Sequence, residues 1–448
     1  MRGNFRPLRL ERHIVFVRIT SLVLILCISA VAPPSSQAYS VLTHEAIIDS
    51  AWEGAIKPLL IARFPAATED ELKDAYSYAY GGAIVADAGY YPFGNKFFSD
   101  LLHYVRSAEF VEALIRDSAD LNEYAFALGA LAHYVADNNG HRLAVNLAVP
   151  MLYPKLERKY GHRVVYDQSP SAHVRTEFGF DVVQVAKGHY ASDSYHQYIG
   201  FNVSKPALEK AFRDTYSLEL TSVFSNYDMA IGTFRRSVSN FIPELTRAAW
   251  QNKKTDIQKD LPGAAKKKFI YNLSRADYEK EWHNQYMHQS FGSKILAFLI
   301  RLVPKIGPFR SLSFRIPTPE AEKLFMASFN ATLDDYKQLL HNSDADREAA
   351  MSDINLDTGT VTGPGDYPLA DKTYADLLDR LSKDHFANVS PQLRDVLLAY
   401  YQNPDAPFAT KKKKKDWDKV LAEINDLKSS TSGSQAKSSS GVNSPAVN

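Results

Sequence analysis

The sequence predicts an all-α protein, and three observations carry that expectation. Apolar residues recur three and four apart over Leu121 to Val135 and Pro206 to Val223, the period that turns one side of a helix toward a core. Convincing period-2 strands are missing, and Asn-Gly or Asp-Gly hairpin signals are few. Gly81-Gly82, Gly161 and Ser169-Pro170 punctuate the periodic stretches as loops between helices.

Taken in order, residues 1–38 read as a secretory signal. Arg2, Arg6, Arg9, Arg12 and Arg18 precede the apolar run Ile19 to Val31, and Ser36-Gln37-Ala38 offers a small-residue cleavage site. The run is too short for a comfortable membrane span. The only cysteine, Cys27, lies inside it, and bulky Leu26 before it argues against lipidation. The mature chain is then cysteine-free, exported to the periplasm or beyond, and any zinc must be held by histidines and carboxylates.

Residues 39–250 form the main helical region, and residues 251–350, opening on the basic connector Lys253 to Lys268, a helical extension. Residues 351–409 read as a Thr/Gly/Pro-rich linker, Asn355 to Pro368, followed by a short helical unit. Residues 410–448 read as a disordered tail with the run Lys411 to Lys415, an amphipathic turn or two, and a Ser-rich end without apolar residues. With 448 residues, 45% of them hydrophobic, the chain can bury a large core. A net charge of +1 gives no electrostatic support for wholesale nucleic-acid binding, so no stable nucleic-acid partner is expected.

Eight of the thirteen histidines fall between His44 and His196, and their spacing matters more than their number. His133, Asp137 and His141 stand four apart in a helical stretch, and His173 and Glu177 repeat the interval. Residues i and i+4 share a helix face, so each pair can grip one ion. Imidazole nitrogen and carboxylate oxygen are the usual non-sulfur donors to zinc.

These residues resemble the zinc-dependent phospholipase C family, which is related to single-strand nucleases and to the catalytic domain of the glycosylphosphatidylinositol-specific phospholipase D. The resemblance rests on an ordered set: a new N-terminus at Tyr39, then His44, Asp87, His103, His133, Asp137, His141, His173 and Glu177. Tyr39 replaces the family's usual Trp, which matters little when backbone atoms chelate. His141 follows Asp137 more closely than in phospholipase C, and that spacing, with Phe178-Gly179-Phe180-Asp181 after Glu177, looks more like the phospholipase D branch.

The resemblance implies three zinc ions. Asp87, His103, His133 and Asp137 would hold one; His141, His173 and Glu177 a second; the Tyr39 amine and carbonyl, His44 and a bridging Asp137 the third. It further implies hydrolysis of a phospholipid phosphodiester at a membrane surface by a hydroxide formed on the metals, with Asp87 the candidate for activating the water. A single-strand nuclease, or a non-catalytic zinc-stabilised scaffold, are the competing readings.

Other features read more plainly. His162, His189 and His196 fit no ligand slot, and Asp181 reads as a helix-surface carboxylate before a partner of a ligand histidine. Tyr90, Tyr91, Phe93, Phe97 and Phe98 read as packing before a substrate pocket. Trp282 to Pro319, cationic and apolar without an acidic residue, reads as a core helix and turn before a membrane-contacting surface.

Overall fold

A computed structural model describes residues 40–191, 199–243 and 313–430, together with 196, 245–247, 249, 250 and 253. The expected signal at residues 1–38, Tyr39, most of the 251–350 extension with its cationic segment up to residue 312, and the Ser-rich end lie outside the described residues. Among the described residues the fold is helical throughout, and the only strand-like feature is an isolated bridge between Asn355 and Thr360. None of the described helices is long and apolar enough to cross a membrane.

The helices that build the site are α1 (Val41–Ala51), α2 (Lys57–Arg63), α3 (Glu69–Val85), α4 (Lys96–Tyr104), α5 (Ser107–Asp117), α6 (Leu121–Asn139), α7 (Asn146–Leu152), α8 (Pro154–Tyr160) and α9 (Pro170–Lys187). Beyond them run α10 (Lys205–Tyr216), α11 (Leu220–Val223), α12 (Tyr227–Arg236), α13 (Pro319–His341), α14 (Asp344–Ala350), α15 (Pro368–Ser382), α16 (Pro391–Tyr400) and α17 (Lys414–Ser429). Their starts follow local chemistry. Thr68 and Glu71 form a reciprocal capping box on α3, Asp120 caps α6 through the Glu123 N–H, and Pro170 opens α9 where no N–H is needed.

α3 and α6 pack along each other at unusually close range. A Cβ on Gly82 would lie 1.9 Å from the Phe126 carbonyl oxygen, and one on Gly129 would lie 2.1 Å from that of Ala79. Only the missing side chains let the two backbones approach this far. Gly129→Ala gains roughly 1 kcal/mol of helix propensity. Overpacking against fixed backbone costs about 1–3 kcal/mol and no rotamer can relieve it. The overlap outweighs the gain, and urea unfolding of the variant should show a net loss of about 1 kcal/mol.

The residues beyond 313 join the same hydrophobic core, which runs from Val41 to Leu427. α13 lies against α6 and against the wide π-helical turn Gly140–Val145 that follows it. α15 packs on α4 and on α17. α17 is four turns long where a turn or two was expected, because Val420, Ile424 and Leu427 find a buried face there. Asn355, Leu356 and Asp357, read from composition as linker, are buried.

Candidate metal centre

His44 sits in the first turn of α1, and that turn is tied down from α9. Asp181 accepts the Leu42 N–H at 3.1 Å and the Thr43 hydroxyl at 2.6 Å. It is fully buried rather than on a helix surface, and burial raises its pKa to about 6 against the opposing hydrogen bonds. Asp87 lies two residues past the end of α3, and His103 one residue before the end of α4. His133 and Asp137 occupy consecutive turns of α6. His141 falls in the π turn, whose wider winding turns it from the His133 row toward His173 and Glu177 of α9.

Four of the five histidines use one ring nitrogen in the same way. Nδ1 of His103 faces the Ser99 carbonyl at 2.7 Å, Nδ1 of His133 the Ala83 carbonyl at 2.9 Å, and Nδ1 of His141 the Leu356 carbonyl at 3.0 Å. Nε2 of His173 faces the Val164 carbonyl at 2.7 Å. A carbonyl only accepts, so each of these nitrogens carries the proton, and the opposite nitrogen presents a lone pair. Those opposite nitrogens, with the oxygens of Asp137 and Glu177 Oε1, are buried and make no hydrogen bond.

The lone pairs converge. His44 Nε2 lies 3.5 Å from Asp137 Oδ1, His103 Nε2 is 3.2 Å and His133 Nε2 3.4 Å from Asp137 Oδ2, and His103 Nε2 is 3.6 Å from Asp87 Oδ1. Two ligand atoms each about 2.1 Å from a tetrahedral zinc ion stand roughly 3.4 Å apart. The spacing is therefore that of ligands around shared ions rather than of hydrogen-bonded pairs. Around Glu177 it is slightly wider, 3.9 Å to His141 Nε2 and 3.7 Å to His173 Nδ1.

Three sets have ligand atoms mutually within 4.8 Å: His44, His133 and Asp137; Asp87, His103 and His133; His141, His173 and Glu177. The donor types, the spacing and the buried polar atoms without hydrogen bonds together fit zinc. These eight residues are at most 2% exposed.

Electrostatics points the same way. Without metal, burial and then His133 push His44 down to about 3, and burial and then His141 push His173 to about 3, so both rings are neutral and ready to ligate. For His103 and His133 burial lowers the pKa, but the Asp137 carboxylate outweighs it and both end raised. Asp137, despite burial, is held well below the carboxylate range by His133 and His103. Glu177 is driven well above it by burial, then by Asp137, Asp357, Asp87 and Asp181. So many carboxylates in one dry space demand cations.

Residues 43–226 match the family model described as zinc dependent phospholipase C. No curated protein and no solved structure matches the chain. Over residues 43–226 the chain is similar to the zinc-dependent phospholipase C family. The eight described candidate ligands all fall within the three sets, two of which share His133, and Tyr39 lies outside the described residues. His133 stands in two of these sets and its ring stacks on His44 with centroids 4.6 Å apart; with Nδ1 on the Ala83 carbonyl, it offers a single nitrogen to either.

Of the remaining histidines, His162 is exposed beside Glu157, and His189 bonds Gln184. His196 is buried between Glu45 and Asp49, 3.0 and 3.4 Å away, outside the metal centre. The aromatic run divides. Phe97 and Phe98 are core, Phe98 stacking on Phe212; Tyr90 approaches the His103 ring at 6.0 Å; Phe93 is 61% exposed. Arg315, at the end of the cationic segment, donates to the Leu152 carbonyl.

Leu356 and Asp357 beside His141 were missed in the sequence. They lie outside the ligand order of the resemblance, and the only signal was a polar Asn-Leu-Asp-Thr-Gly turn that composition assigned to a linker.

Proposed function

We propose that the chain is an exported hydrolase that cleaves a phosphodiester bond of a membrane phospholipid at this centre, with three zinc ions bound. The observation that carries the reading is the convergence of three sets of buried His and carboxylate donors at ligand spacing, within a phospholipase C-family region. Zinc, when bound, supplies Lewis acidity to the phosphate oxygens and lowers the pKa of water.

The protein's own residues do the rest. Asp87, His103, His133 and Asp137 would hold one ion, His141, His173 and Glu177 a second, and His44 with a bridging Asp137 the third, with the Tyr39 amine and carbonyl completing that set once the signal is removed. The backbone carbonyls of Ser99, Ala83, Leu356 and Val164 keep each ring in the ligating tautomer. Asp87, in the set with His103 and His133, would accept the proton of the attacking water and orient it toward phosphorus. Burial excludes bulk water, which strengthens every charge–charge contact at the phosphate.

The test is hydrolysis by the purified mature protein of mixed phospholipid vesicles, with single-stranded DNA as the competing substrate. Release of phosphorylated head group is the result expected of C-type cleavage, and phosphatidic acid of D-type. Degradation of DNA with vesicles untouched would overturn the lipid reading in favour of a nuclease. Stoichiometric zinc with neither activity would overturn it in favour of a scaffold.

A further inference from the structure

The metal centre does not end with the family-matched region. The turn Asn355–Thr360 reaches it from more than a hundred residues further along the chain, and one dipeptide in it touches ligands from two different sets. The Leu356 N–H donates to the His103 carbonyl at 3.0 Å, and the Leu356 carbonyl accepts from His141 Nδ1 at 3.0 Å. Asp357 Oδ1 lies 3.7 Å from the same Nδ1.

The turn is itself built and braced. Asn355 Oδ1 accepts the N–H groups of Asp357 at 2.9 Å and Thr358 at 3.3 Å. Gly359 sits at φ +70°, and a Cβ there would meet Asn138 Oδ1 at 2.7 Å and Arg142 Cδ at 2.8 Å, so the turn is pressed onto the residues flanking His141. The Asp357 carboxylate accepts hydroxyls from Tyr104 at 2.8 Å and Tyr367 at 2.5 Å, and its carbonyl accepts Asn146 Nδ2 at 2.8 Å. Asn355, Leu356, Asp357, Tyr104, Tyr367 and Asn146 are buried.

We infer that Asp357 is a positioning residue for the metal centre, and that the Asn355–Thr360 turn supplies from outside the family-matched region the shell that orients His141 toward its ion. The physical reason is directional. His141 sits in a wide helical turn whose backbone does not by itself fix the ring. A carbonyl on Nδ1 sets the tautomer and aims Nε2, and the two tyrosine hydroxyls, acting through Asp357, hold that carbonyl in place. Asp357 touches no substrate in this account.

The inference rests on the zinc reading above, and the experiment separates the two. Zinc content and affinity are measured on the full mature chain, Asp357→Asn and Tyr367→Phe in metal-buffered solution, with the visible absorption of the cobalt(II)-substituted proteins recorded alongside. Loss of a shell partner of this kind weakens metal binding by about 10-fold or more. We expect Asp357→Asn to lose one ion at that cost, with altered cobalt bands, while its circular dichroism without metal matches the parent's. Tyr367→Phe should show a smaller loss in the same direction. Parental affinity, stoichiometry and cobalt spectrum in both variants would overturn the inference and leave the zinc reading standing. A parent chain that takes up no zinc would overturn both.

Discussion

Asp137→Ala is expected to abolish both zinc loading and hydrolysis. Its two oxygens stand within 3.2 to 3.5 Å of His44, His103 and His133, so one carboxylate joins two ligand sets. Removing it leaves three buried imidazoles without the carboxylate that faces all of them. Metal catalysis is worth several kcal/mol of transition-state stabilisation, and each 1.4 kcal/mol is tenfold in rate. Turnover should therefore fall at least about 10³-fold, with zinc content by elemental analysis falling by one ion or more. A variant that keeps full zinc content and a rate within tenfold of the parent would remove Asp137 from the centre. Asp137→Asn is the sharper comparison, since it preserves shape and deletes only the charge.

Zinc removal is the second large effect. An ion bound at 1,000 times its dissociation constant stabilises the folded chain by about 4 kcal/mol, and with one core joining Val41 to Leu427 each kcal/mol shifts Tm by about 1 °C. Dialysis against a chelator should lower Tm by about 5 °C for each ion lost, and added zinc should restore it. Protons report the same event. Burial and neighbouring carboxylates lift Glu177 well above the ordinary range, and His103 and His133 are raised as well, so without metal each group keeps its proton to higher pH than it would in water. Zinc displaces those protons, so its affinity should rise with pH while they remain to be lost. Titration calorimetry in buffers of different ionisation heat should show net proton release near pH 7. Binding without proton release would mean that the carboxylate and imidazoles are already deprotonated, against the electrostatics of the pocket.

Much of the centre was legible in the sequence because its ligands come in local pairs. The helical period alone puts His133 with Asp137 and His173 with Glu177 on shared faces, whatever surrounds them. Asp87 and His103 gained meaning from the ordered resemblance, since nothing local pairs residues sixteen apart. Asp181 was misjudged because an isolated carboxylate in a helix is usually on the surface. Only the fold shows that its partners are the N–H of Leu42 and the hydroxyl of Thr43, 139 and 138 residues away.

The all-α class and the pairing of ligands along each helix were thus determined by the sequence itself, since side-chain period and capping chemistry act within a few residues. The convergence of four helices on one dry space was decided by tertiary structure, through contacts such as the glycine seam that lets α3 approach α6 and brings the Ala83 carbonyl to His133. So was the placement of Asp357 against Tyr104, 253 residues away, and of Leu356 against His141, 215 residues away. Hydrogen bonds between distant segments carry no period and no spacing in the chain. They exist only once packing has brought the segments together.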